Sequence, residues 1–153
     1  MVVPSYNQAA FLRDCLESLA SYPAEFCEII VMDGGSTDNS VEIIKEFESR
    51  LTHWQSQPDG GQAAALLAGY RIARGDIFGW VNSDDRLVPG ALHVVATYFE
   101  SHPDVNWAYG DHNFIDSHGR HILSRYMASV DYQELYWGDR YLPQEAVFYR
   151  RDL

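Results

Sequence analysis

The sequence predicts an α/β fold, a mainly parallel but mixed sheet covered by helices. Three observations carry this. Over the first hundred residues, short apolar runs alternate with segments of helical apolar period, the pattern of parallel strands joined by helical crossovers. Four junctions between these segments are rich in glycine, serine and aspartate, the composition of ligand-binding loops at strand ends. Beyond Pro103 the apolar period shortens to two, and Ser117-His118-Gly119 separates two alternating runs, which adds a hairpin.

Taken in order, "MVVPSYN" reads as a strand whose ladder ends at Pro4. In "QAAFLRDCLESLAS", Leu12, Cys15, Leu16 and Leu19 recur at helical spacing, and Pro23 breaks the helix. "CEIIVMD" is a short β-branched run, a strand buried on both faces. After "GGSTDNS", the segment "VEIIKEFESRL" predicts a helix with Val41, Ile44, Phe47 and Leu51 inward and an Asn39–Glu42 capping box. "HWQSQP" predicts a third strand. "DGGQAAALLAGYRIARG" is a turn feeding an alanine-rich helix closed by Gly75, and "DIFGWVN" is the next strand. "PGALHVVATYFESHP" predicts a helix with Pro89 in its first turn. "VNWAYGDHNFID" and "RHILSRYM" form the two hairpin arms, "YQELYWG" a short helix and "QEAVFYR" a last strand.

A chain of 153 residues with 46% hydrophobic residues suits one compact domain. Its net charge is −11 and Lys45 is the only lysine, which argues against phosphate-mediated binding of nucleic acid. Cys15 and Cys27 lack metal-ligand spacing and read as buried free thiols. With no signal peptide and no apolar run near the roughly 20 residues of a membrane helix, a cytoplasmic location is expected. Both ends fall within predicted elements, so the chain is expected to be part of a longer protein.

The chemistry is expected on the rim where the strands end. Pro4-Ser5-Tyr6-Asn7, Asp33-Gly34-Gly35-Ser36, Asp59-Gly60-Gly61-Gln62 and Ser83-Asp84-Asp85 all occupy such turns. Ser5 and Asn7 could instead cap the first helix, Asp33 could close an Asx turn, and Asp59 could belong to a plain turn. Asp84 and Asp85 are harder to explain that way. Adjacent carboxylates at the end of a buried strand repel, and a cation would relieve them. Carboxylate oxygens suit Mg²⁺ or Mn²⁺, and such an ion would let an acidic chain hold a diphosphate. Motifs of dinucleotide folds, P-loops, serine hydrolases and zinc proteases are missing, and the six histidines lack zinc-like clustering.

These segments together, "VVPSYNQAAFLRDCLESL", "IIVMDGGSTDNSVEII", "QPDGGQAAALLAGYRIARGDIFGWVNSDDRLVPGAL" and "PDVNWAYGDHNFID", occur in the order and spacing of family 2 glycosyltransferases. The chain resembles that family along nearly its whole length. The resemblance implies a GT-A-type nucleotide-binding α/β/α sandwich, with residues 1–102 binding the donor and 103–153 forming a mixed-sheet part toward the acceptor. It also implies inverting, metal-dependent transfer of a sugar from a UDP- or dTDP-linked donor to a hydroxyl acceptor. In that pattern Pro4, Ser5 and Tyr6 line the nucleobase and ribose, and Asp33 recognises the base. Asp59 and Gln62 lie near uracil and ribose, Asp84 faces the ribose and Asp85 holds Mg²⁺ or Mn²⁺.

The expected partners are a nucleotide-diphosphate sugar and a carbohydrate or lipid-linked sugar acceptor in cell-envelope polysaccharide synthesis. Peripheral association with membrane machinery goes with them, and nucleic acid does not. The chain departs from the family pattern at Gly34, where many relatives carry a second acid, and at Ala64 and Leu67, where many carry Asp and Asn. Asp111, Asp116, Glu134 and Glu145 do not sit in the family's base motif, so the catalytic base is expected beyond Leu153. The alternative is a degenerate, non-catalytic nucleotide-sugar-binding module.

Overall fold

The computed structural model describes residues 1–128 and 142–153. The short helix expected from "YQELYWG" and the acid Glu134 lie outside them.

The first three strands, β1 (Val2–Ser5), β2 (Ile30–Asp33) and β3 (His53–Ser56), pair in parallel with β2 in the centre. Three more form a second group. β4 (Ile77–Gly79) and β5 (Trp107–Tyr109) both pair antiparallel to β8 (Val147–Arg150), which runs between them. A parallel bridge from Val2 to Trp80, with the Val81 N–H donating to the Val2 carbonyl at 3.1 Å, joins the two groups edge to edge. The strand order is therefore β3-β2-β1-β4-β8-β5, a mixed sheet in which β8 alone runs against the rest. β6 (His112–Ile115) and β7 (His121–Arg125) form a separate hairpin.

Alternation along the strands sends side chains to two cores. Val3, Ile29 and Val31 face one layer, where α1 (Leu12–Ala20) contributes Leu12, Cys15, Leu16 and Leu19. In the same layer α2 (Ser40–Glu46) adds Ile43 and Ile44, and α4 (Ala91–Ser101) adds Leu92 and Phe99. Val2, Ile30 and Met32 face the other layer, covered by α3 (Gln62–Ile72) through Ala65. α3 lies close because Gly69 meets Val2: a Cβ at that position would stand 2.5 Å from Val2 Cγ1. Cys15 and Cys27 are free and buried, as expected.

Several local expectations are corrected. The α2 capping box does not form: Asn39 makes no side-chain cap, and Asp38 Oδ1 accepts the Ser40 N–H at 3.0 Å instead. The helix ends at Glu46, a 3₁₀ turn spans Glu48–Arg50, and Ile43 rather than Val41 is fully inward. Pro89 precedes α4, which starts after Gly90 at φ +82°. The first predicted hairpin arm divides at Gly110 and Asp111, so β5 joins the main sheet and only β6 enters the hairpin.

Candidate functional site

The ends of β1, β2 and β4 and the start of α3 meet on one rim, and the four turns read from the sequence come together there. Asn7, at φ +53°, does not cap α1. Its Oδ1 accepts the Thr37 N–H at 2.8 Å, and its own N–H donates to Ser36 Oγ at 2.8 Å, so it fastens the first turn to the second.

A cavity of about 480 Å³ opens between these turns, and Pro4, Ser5, Tyr6, Asp59, Gln62 and Asp84 all line it. Tyr6 is 60% exposed, which leaves its ring face free to stack on a planar ligand. Ser5 Oγ is buried just behind this lining and has no partner among the described residues. Asp59 Oδ1 accepts the Gly61 N–H at 2.7 Å, which fixes the carboxylate at the mouth of α3. Gly34 lies between them. A Cβ there would sit 3.4 Å from both Asp59 oxygens and from the Tyr6 ring, so Tyr6 and Asp59 flank the place of a side chain. Ala64 and Leu67, the other departures, are exposed and lie outside the lining.

Asp33 does not line the cavity. It is 1% exposed, and its Oδ2 accepts the Gly35 N–H at 3.1 Å, the Ser36 N–H at 2.9 Å and Ser56 Oγ–H at 2.6 Å. Oδ1 takes the Ser36 hydroxyl. The strand-end carboxylate therefore closes its own turn and ties it to β3.

Asp84 is exposed and shared with a second cavity on the hairpin side; Asp85, half-buried, lines only that second cavity. Burial pushes the Asp85 carboxyl above its ordinary value; a hydrogen bond from Asn82 works against this, and the charges of Glu145 and Asp84 add to it. Beneath them the Cys15 thiol donates to the Asn82 carbonyl at 3.4 Å, and burial beside Asp85 and Asp84 pushes that thiol up, away from reactivity. Among the described residues, no three His, Cys, Asp or Glu side chains are gathered closely enough to enclose a metal by themselves. The donor set does fit Mg²⁺ or Mn²⁺, which take one or two protein carboxylates and complete their shell with water and substrate phosphate.

Two residues went unrecognised in the sequence. Asn82, which passes as an ordinary turn residue, accepts from Gln62 Nε2 at 2.6 Å and donates to Asp85 Oδ2 at 3.1 Å. His112 is buried with neither ring nitrogen partnered among the described residues, and it borders the second cavity. Its only sequence signal is a polar residue at an inward position of an alternating strand.

Comparison with known proteins bears on this arrangement. The family model described as glycosyl transferase family 2 matches residues 1–153. A PGL/p-HBAD biosynthesis glycosyltransferase of Mycobacterium bovis is 29% identical over 157 residues, covering 100% of this chain and 59% of its own length. The structure of Staphylococcus aureus TarS 1–349 in complex with UDP-GlcNAc superposes with a TM-score of 0.61 and 26% identity, over 67% of this chain and 31% of that one. A mannosyltransferase from Pyrobaculum calidifontis, in complex with GDP-Man and Mn²⁺, gives a TM-score of 0.71 at 18% identity, over 99% of this chain and 44% of that one. The chain thus spans less than two thirds of the length of each.

Proposed function

Since this chain belongs to glycosyl transferase family 2, we propose that it is the nucleotide-sugar-binding part of a glycosyltransferase. The transferase passes a sugar from a UDP- or dTDP-linked donor to a hydroxyl acceptor, with inversion and with a divalent metal. The sandwich is of the GT-A type. The observation that carries the reading is the convergence of Ser5, Tyr6, Asp59, Gln62 and Asp84 on one cavity, with Asp85 next along the chain from Asp84. The complex of TarS with UDP-GlcNAc supports a UDP-sugar as the donor class.

Each residue has a task consistent with its position. The Tyr6 face stacks on the base, and Asp59 accepts a base or ribose N–H or O–H. Gln62 and Asp84 orient the ribose. Asp85, with Asp84 beside it, would hold Mg²⁺ or Mn²⁺, and that ion supplies charge stabilisation to the leaving diphosphate. In the transfer, the acceptor oxygen bonds to the anomeric carbon as that carbon's bond to the diphosphate oxygen breaks. The electron pair leaves with the diphosphate, and a carboxylate base takes the acceptor proton. None of Asp111, Asp116 and Glu145 is assigned that role: Asp116, for one, is held by Arg120 at 2.7 Å.

Calorimetric titration of UDP into the chain, with Mn²⁺ and with EDTA, tests the proposal. Metal-dependent binding is expected, weakened by Asp85→Ala at least about tenfold, or 1.4 kcal/mol. Folded protein that binds neither UDP nor dTDP in the presence of metal would instead support a degenerate module.

A further inference from the structure

Of the two cavities, Gln62 lines only the first and Asp85 only the second. The residue read as touching the nucleotide and the residue read as holding the metal therefore face different spaces. The Asn82 side chain connects them, since it accepts from Gln62 Nε2 at 2.6 Å and donates to Asp85 Oδ2 at 3.1 Å.

This relay runs in one direction. An ionised carboxylate accepts hydrogen bonds and donates none, so the Asn82 NH₂ must face Asp85. That turns the Asn82 oxygen toward Gln62, which answers with its own NH₂. Gln62 keeps Oε1, which accepts no bond among the described residues, so what it offers a ligand is an acceptor for a hydroxyl or N–H. At the other end Asp85 Oδ2 is engaged, and Oδ1, without a bond among the described residues, is the oxygen left for a cation.

The backbone at both ends of the relay is fixed. The Asn82 carbonyl accepts the Asp85 N–H at 3.0 Å and the Cys15 thiol at 3.4 Å, and Val81 before it is 1% exposed. Gln62 opens α3 directly after Gly61, whose N–H is held by Asp59 at 2.7 Å. The parts free to respond are the side chains, above all Gln62, which is exposed. A ligand at one end bears the entropy cost of ordering the relay, and a ligand at the other end then finds it ordered.

We propose that Asn82 is a positioning residue that couples the two ends, so that a nucleoside at Gln62 tightens the hold of Asp85 on Mg²⁺ or Mn²⁺ with no phosphate between them. The coupling rests on the glycosyltransferase reading above.

The test uses the whole chain and uridine, which lacks the phosphates that would reach the metal directly. Mn²⁺ affinity, read from the paramagnetic resonance signal of the free ion, is expected to rise at least about threefold at saturating uridine. Calorimetry should show Mn²⁺ tightening uridine by the same factor, because coupling between binding sites is reciprocal. Asn82→Ala and Gln62→Leu should each abolish the effect, and the double variant should lose no more than either, since all three cut one relay. Gln62→Leu lies at an exposed position, so it reads the relay even where Asn82→Ala disturbs its loop. A uridine effect that survives Asn82→Ala overturns the proposal and routes the coupling through Asp84, which lines both cavities. Bound uridine that leaves Mn²⁺ affinity unchanged overturns it as well. UDP that binds with Mn²⁺ while uridine has no effect removes the relay alone and leaves the donor site standing, whereas folded chain that binds neither uridine nor UDP removes both.

Discussion

Gln62 and Asp85 sit on different turns and are joined through one side chain: Asn82 accepts from Gln62 Nε2 at 2.6 Å and donates to Asp85 Oδ2 at 3.1 Å. The amide has one acceptor and one donor face, and here both are used. The first residue of α3 is thereby held in register with the half-buried carboxylate, across the cavity that Gln62 and Asn82 both line. Asn82→Ala removes both bonds. UDP affinity measured by calorimetry with Mn²⁺ should fall about threefold to tenfold, the scale of one ordinary hydrogen bond. An unchanged affinity would show that the link is structural only.

Asp33→Ala should act on the fold before it acts on any ligand. The substitution strands the partly buried N–H groups of Gly35 and Ser36 and frees the Ser56 hydroxyl. A loss of about 1 to 3 kcal/mol is expected in urea unfolding, from the hydrogen bonds lost around a buried carboxylate. A variant of wild-type stability that fails to bind UDP would instead return Asp33 to the recognition role the family resemblance gave it.

Gly69→Ala tests the packing of α3 on the sheet. Alanine is the better helix former by about 1 kcal/mol, yet its Cβ would meet Val2 Cγ1 at 2.5 Å and Cγ2 at 3.1 Å. Val2 is buried and β-branched, so it has little freedom to move aside. Overpacking should win, with a net loss of about 1 to 2 kcal/mol in denaturant unfolding.

Asp85→Asn addresses pH. The folded-state pKa of Asp85 is raised, chiefly by desolvation, so the native protein binds more protons than the unfolded chain between the ordinary carboxylate value and the raised one. Stability therefore falls as pH rises through that window, and the penalty is fully present above it. Without metal, Asp85→Asn should raise the thermal midpoint at neutral pH, and the gain should vanish as pH drops below the ordinary carboxylate value. Adding Mg²⁺ to the wild type should narrow the gap from the other side.

Much of this was readable from the residues. The α1 stripe of Leu12, Cys15, Leu16 and Leu19 is buried as its spacing required, and all four polar turns reached one rim. What escaped depends on distant partners. Asp33 is visibly a strand-end aspartate, but the hydroxyl that completes its shell comes from Ser56, on another strand. The division between β5 and β6 could not be seen, since the alternation runs on through Gly110 and the strand that claims β5 is β8, near the chain's end. Asn82 and His112 look ordinary until tertiary packing shows what each lacks or joins.

The place of β8 also has a bearing on synthesis. β4 leads directly into Asn82 and the carboxylate pair, yet its antiparallel partner holds Ile77 against Arg150, seventy-three positions later. On a ribosome adding about 5 to 20 residues per second, that edge waits unpaired for roughly 4 to 15 seconds. During that wait β1 to β3 have all their ladder partners and β4 has only its narrow bridge to Val2. The β1–β3 half is then set to fold first, and the Asn82–Asp85 loop is anchored on its far side only when β8 emerges.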